Sequence, residues 1–295
     1  MKRLKLTFLA TAMAVALSTT SASAQFFTDG LDDLTSWTVA LQTDASAAVV
    51  DYGLLGIPEA PNMVGGSGAT TGVRFDANTD ATPGAAAGNL IGAISGGNAD
   101  LALSVFELQF DVWVNVGVPV PTGGTEQLLW GIGRTTTTAF GRNNRAADGD
   151  GIWGWLAGEN GYGTEDAAIF DGSTELADLG DTQAGEAMPF NAAFTTNLGG
   201  NDVPANSWVT VKISANNGEV ITSYNDVIFF RESGLTTLGD VMVGYEDPFS
   251  SISLDPANQF GIIDNVYIDD MVTIPEPTSL ALFAMGSLAM LWRRK

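Results

Sequence analysis

The chain has no cysteine and no histidine among its 295 residues. Without cysteine no disulfide can form, so stability must come from a packed core, with or without a bound cation. Without histidine there is no Ser-His-Asp or Cys-His arrangement and no imidazole zinc site. Carboxylate and carbonyl oxygens remain, and these suit hard cations such as Ca2+. Positive charge is scarce too: 12 Lys and Arg stand against 34 Asp and Glu, a net charge of −22. Between Gln25 and Thr273 the basic residues are Arg74, Arg134, Arg142, Arg145, Lys212 and Arg231, while every acidic residue but Glu276 lies there. Six positive charges less 33 negative ones leave that stretch at −27. Such a surface repels phosphate backbones and argues against nucleic acid as a partner. It suits divalent cations, a salty medium or plain solubility. Long helical periodicity and repeats at fixed spacing are also missing.

What the chain has is alternation. In LSVFELQFDVWVNV (Leu103 to Val116), Phe106, Leu108, Phe110, Val112, Val114 and Val116 share one face, with Glu107, Gln109, Asp111, Trp113 and Asn115 on the other. A strand turns successive side chains to opposite faces, so this is a long antiparallel strand with one face on a core. Ser207 to Ser214 alternates likewise, and Asn216-Asn217-Gly218 then makes a hairpin turn into Val220 to Tyr224. Gln259 to Ile274 reads as a further strand. Shorter ones are expected at Trp37–Leu41, Ala47–Tyr52, Val73–Asp76, Gln127–Gly133, Gly151–Ala157, Ala167–Phe170, Val227–Arg231 and Val241–Tyr245. About a dozen strands without helices predict an all-β antiparallel sandwich or jelly roll over residues 25–273. Gly65–Gly72 and Ala77–Gly97 read as loops or weakly specified edges, and Asp171–Gly200 as an irregular acidic excursion.

Both ends read as processing segments. The start has a basic n-region (Lys2, Arg3, Lys5), a short apolar stretch and Ala22-Ser23-Ala24. This predicts a signal peptide over 1–24, cut between Ala24 and Gln25 by signal peptidase. The end is IPEPTSLALFAMGSLAMLWRRK, 274–295. Its apolar run, Thr278 to Trp292, spans about 22 Å as a helix, short of the ~30 Å of a bilayer core. Pro275-Glu276-Pro277, a short apolar helix and the basic cluster Arg293-Arg294-Lys295 closely resemble the PEP-CTERM sorting signal. The resemblance implies export in a Gram-negative bacterium that makes extracellular polysaccharide, transient anchoring by the helix, and processing by an exosortase near Pro-Glu-Pro. The protein would end at the cell surface or in the matrix. A plain C-terminal anchor gives the same topology without processing.

Leu31-Asp32-Asp33-Leu34-Thr35-Ser36-Trp37, Trp208 to Ile213 and Phe260 to Asp269 resemble segments of concanavalin A-like and laminin G-like jelly rolls. That resemblance implies pairing of the first and last strands, and structural Ca2+ near that pairing, with Asp29 or Asp32 and Asp264 or Asp270 as ligands. Asp264 falls among Phe260, Ile262, Val266 and Ile268, and an acid there needs a partner. A second oxygen-rich stretch, Asn143 to Gly151, offers Asp148 and Asp150 but reads equally well as a turn. The superfamily also contains glycoside hydrolases, whose paired acids on alternate residues of one strand are missing here. Glu107 and Asp111 share a face about 13 Å apart, beyond the ~5–9.5 Å that either hydrolytic mechanism uses. Aromatic rings among polar groups suit sugars instead. Trp113 with Gln109 and Asn115 makes one such platform, and Trp153 with Trp155 either a second or part of the core. Two readings follow: a non-catalytic glycan-binding or structural surface protein, and a secreted glycan-active hydrolase or lyase of the same fold.

Overall fold

A computed structural model of the chain describes residues 25–63, 70–79, 86–92, 105–117, 125–142, 150–158, 166–179, 190–198, 201–237, 239–249 and 257–270. The expected signal peptide with Ala24, the tail with Pro275, Glu276, Pro277, Arg293, Arg294 and Lys295, and Asp148 lie outside the described residues.

The strands in chain order are β1 Gln25–Asp29, β2 Trp37–Leu41, β3 Ala45–Asp51, β4 Thr71–Ala77, β5 Ala86–Gly92, β6 Val105–Asn115, β7 Gln127–Arg134, β8 Ile152–Ala157 and β9 Ala167–Asp171. They continue with β10 Thr174–Asp178, β11 Thr196–Leu198, β12 Asn201–Val203, β13 Trp208–Asn216, β14 Glu219–Tyr224, β15 Val227–Glu232, β16 Asp240–Asp247 and β17 Phe260–Asp270. A 3-10 turn covers Tyr52–Leu55 and one helical turn, α1, covers Phe190–Ala193. Two sheets form. The first runs β15-β14-β13-β6-β17-β4-β3, with β1 also on β17; the second runs β10-β9-β8-β7-β16-β5-β2. The ladders of both are antiparallel, so the fold is an all-β two-sheet sandwich.

Alternation builds the core between the sheets. Leu108, Phe110, Val112 and Val114 from β6 and Val209, Val211 and Ile213 from β13 join Leu128, Trp130, Ile132, Val241, Val243 and Tyr245 of the second sheet in one buried cluster. The Trp130 indole N–H donates to the Tyr224 hydroxyl at 2.9 Å, so the largest core ring carries no unmet donor. Each sheet also carries a smaller cluster on its outer face. Tyr52, Ile57, Phe260 and Ile262 lie on the first, against Trp113 and Trp208. Leu129, Phe140, Trp153, Trp155, Phe170 and Met242 lie on the second.

β1 pairs with β17, as the jelly-roll resemblance implies. Three sequence expectations are corrected. β5 lies inside the stretch read as loop, yet it is an interior strand between β16 and β2 and is buried throughout. Buried on both faces, it shows no polar alternation to read. Gly88 must be bare there, because the Phe75 ring lies 2.8 Å from where its Cβ would stand. Asp171–Gly200 holds β10, α1 and β11 rather than being wholly irregular. Finally, Asn265 takes a left-handed φ of 54°, which Asn tolerates better than most residues, and this breaks the alternation of β17. Phe260 and Ile262 therefore face outward with Asp264, whereas Ile263, Val266 and Ile268 face the core. Asp264 does not share a face with Val266 and Ile268. At the same break β17 changes partner, from β4 over Gly261–Ile263 to β1 over Val266–Asp269.

Candidate functional site

Trp113, Gln109 and Asn115 lie on the outer face of the first sheet. β6 and β13 place Trp113 opposite Trp208, with rings 5.8 Å apart, and Tyr52 closes on Trp208 at 5.2 Å. Trp113 Nε1 donates to Asn115 Oδ1, Asn115 Nδ2 to the Asn258 carbonyl and Trp208 Nε1 to the Pro58 carbonyl. Gln109 is buried and accepts the Tyr267 hydroxyl. Trp113 and Asn115 thus come together, while Gln109 turns to β17. The acids on this face hold the chain that covers it. Asp111 accepts from Asn62 N and Nδ2 at 3.0 and 2.7 Å, from the Thr210 hydroxyl at 2.9 Å and from Asn265 Nδ2 at 3.1 Å. Burial nevertheless keeps its carboxyl above the usual range, outweighing those bonds. Asp264 accepts the Tyr52 hydroxyl at 2.7 Å and the Asn265 N–H at 2.6 Å. Burial, with the nearby negative charge of Asp111, pushes it up to about 7. Glu107 accepts the Ser214 hydroxyl at 2.7 Å.

Of the other expected acids, Asp32 lies close enough to Asp264 for its charge to help raise that carboxyl. Asp29 accepts from Leu31 N and Trp37 Nε1, fixing the turn after β1, and Asp32 is exposed. Asp150 accepts N–H and O–H bonds from Thr135 and Thr136 and lies 3.4 Å from Arg134. Burial pushes its carboxyl up, but the Thr135 bonds and Arg134 outweigh that and hold it low. The side chain of Asp270 lies outside the description. Among the described residues no three acidic side chains are grouped to hold a metal.

The second sheet's outer face is aromatic. Trp153 stacks on Phe170 at 4.4 Å, and Phe140 meets it edge-on at 4.5 Å. Trp155 lies under the Arg142 guanidinium, 4.6 Å from the ring centre. Both Trp side chains are fully buried, so they pack as a layer beneath 139–142 instead of facing solvent. That segment is tied down by its backbone: Phe140 N–H donates to Asn89 Oδ1 at 2.6 Å and Arg142 N–H to Glu246 Oε2 at 2.8 Å. Burial pushes the Glu246 carboxyl up to about 8, against the pull of Arg142. Sequence reasoning passed over Asn89, Gln127, Arg142 and Glu246. The signal for Glu246 was present, as an acid in the same strand as the apolar Val-Met-Val run.

Residues 273–295 match the family model described as the PEP-CTERM protein-sorting motif. No curated relative matches the chain. Among solved structures, a protein of unknown function with a galectin-like fold from Bacillus subtilis is similar at 10% identity and a TM-score of 0.45, over 85% of this chain and 97% of that one. The VIP36 exoplasmic/lumenal domain in a Ca2+/Man-bound form follows at 10% identity and 0.43, over 80% and 93%. An alginate lyase from Corynebacterium sp. stands at 15% and 0.40, over 81% and 95%. With TM-scores below 0.5 these likenesses decide nothing about ligand or reaction, and the fold rests on the strand order itself.

Proposed function

We propose that this is an exported protein of a Gram-negative bacterium, freed of its signal by signal peptidase and processed by an exosortase. Its sandwich, displayed at the cell surface or in the extracellular matrix, binds extracellular polysaccharide without catalysing a reaction on it. The observation that carries the delivery is the sorting motif at 273–295, whose apolar run is short for a permanent span. Among the described residues no helix is long and apolar enough to cross a membrane. Mass spectrometry of the mature protein tests the delivery. The expected species begins at Gln25 and has lost the tail near Pro275–Pro277; an intact Lys295 terminus on the surface protein makes the tail a plain anchor. A glycan array with a reducing-sugar release assay tests the body, with binding and no turnover expected.

The enzyme alternative needs a general acid, and Glu246, a buried acid whose carboxyl burial pushes up to about 8, is the group to test for it. Glu107 and Asp111 favour it less, since both are spent on hydrogen bonds that hold the fold. Turnover abolished by Glu246→Gln establishes the enzyme. For Ca2+, Asp29, Asp32, Asp264 and Asp270 remain the ligand set to test.

A further inference from the structure

Among the described residues, the second sheet's outer face includes four buried polar atoms without a hydrogen-bond partner: Asn89 Nδ2, Gln127 Oε1, Trp155 Nε1 and Glu246 Oε1. The ladders place them close together. Gln127 stands directly opposite Glu246, and one row further along the same face Trp155, Leu129, Gly244 and Asn89 follow one another across four strands. Directly opposed residues stand about 5 Å apart at Cβ. Gly244 leaves a gap into which the Asn89 amide leans, its Nδ2 only 2.5 Å from where a Cβ would be. The Phe140 N–H on Asn89 Oδ1 fixes which way that amide points, so its unmet group is the donor.

An unpartnered buried polar atom costs about 1–3 kcal/mol, and four within two rows of one face is a concentration that packing does not require. The set is mixed. Asn89 and Trp155 offer donors, Gln127 an acceptor, and a protonated Glu246 either. A hydroxyl both donates and accepts, so a row of sugar hydroxyls can meet all four. Sulfate or carboxylate groups only accept, and would leave the Gln127 carbonyl facing an anion. The Trp155 ring supplies the flat apolar surface that sugar C–H groups prefer, and the Arg142 guanidinium now occupies it.

We propose that Asn89, Gln127, Trp155 and Glu246 form a binding site for an uncharged sugar, and that Phe140–Arg142 occupies the site until the sugar displaces it. This rests on reading the body as glycan-binding. Segment 139–142 acts as a self-ligand: its two N–H groups meet one atom each of Asn89 and Glu246, and Arg142 lies on the ring. Gly141 permits the close approach, because a Cβ there would strike Glu246 Oε2 and come within 3.0 Å of the Ala87 Cβ.

The test uses the full chain, titrated calorimetrically with neutral gluco-, galacto- and manno-oligosaccharides and with uronic-acid oligosaccharides. Circular dichroism confirms that each variant is folded. The wild type is expected to bind a neutral sugar. Trp155→Phe, which keeps a ring but loses the N–H, and Gln127→Leu each weaken binding roughly tenfold, the worth of one buried hydrogen bond. Gly141→Ala props the segment away and strengthens binding several-fold. Neutral-sugar binding that Trp155→Phe and Gln127→Leu leave unchanged puts the site elsewhere, while the glycan reading survives. Binding of uronic acids alone overturns the sugar class. No glycan binding at all overturns both readings, and Gly141→Ala without a gain overturns displacement.

Discussion

The two outer faces of the sandwich are both covered, and they are covered differently. On the first, Asp111 receives four hydrogen bonds, Asp264 two, and the indole N–H groups of Trp113 and Trp208 each reach an oxygen. On the second, Asn89 and Glu246 are each half-satisfied, and Trp155 Nε1 has no partner. A saturated polar network fixes one arrangement, because any other leaves a group unpaired. A half-satisfied one gains from a newcomer. The first cover is thus part of the fold, and the second reads as a closed door.

The largest test of this contrast is Asp111→Ala. It strands donors on Asn62, Thr210 and Asn265 at once, and a loss of about 3 kcal/mol is expected in urea unfolding. A loss below about 1 kcal/mol would place the loop's anchor elsewhere.

Next comes pH. Burial raises Asp264 to about 7, Asp247 to about 7 and Glu246 to about 8, and Asp111 also upward. Over roughly pH 4 to 8 the folded state therefore holds more protons than the unfolded one, so stability falls as pH rises through that window. The melting temperature is expected to be higher at pH 5 than at pH 8, and the reverse order contradicts the burial of these acids. Asp150, held low by its Thr135 bonds and Arg134, works in the opposite direction, and does so toward the acid end of the range.

A pair of tryptophans sharpens the comparison further. Trp130→Phe breaks a bond to Tyr224 and is expected to cost about 1–2 kcal/mol. Trp155→Phe removes an indole N–H that has no partner, so the melt should shift by under about 1 kcal/mol. Equal costs would show that Trp155 Nε1 finds a partner in solution.

The smallest expected effect is that of EGTA. The oxygens of Asp29 and Asp264 are engaged within the protein, so a shift of less than about 1 °C is expected. A fall of several degrees establishes a bound cation and reopens the pairing of the first and last strands as its site.

The sandwich was legible because β6 and β13 each have one dry face and one polar face, the condition under which period-2 patterns survive in sequence. β5 was illegible for the opposite reason, being dry on both faces and built of Ala, Gly, Asn, Leu and Ile. Asp264 was legible as an acid in need of a partner, but not as a partner of Tyr52, 212 positions away. Its face was misassigned because one left-handed residue, Asn265, shifts the alternation invisibly. Trp153 and Trp155 were legible as sharing a side. Whether that side met solvent depended on 139–142 folding back over it, which no local pattern encodes.

The exit of the chain from the sandwich has a mechanical consequence. The sorting tail follows β17, and β17 is no edge: it lies between β6 on one side and β4 and β1 on the other. Tension applied through the tail therefore loads a strand held along both flanks, and two ladders must fail before it leaves. A body hung from its membrane by an edge strand could be peeled one hydrogen bond at a time. Here any load passed along the chain from residue 273 onward would enter at a strand flanked on both sides, not at an edge.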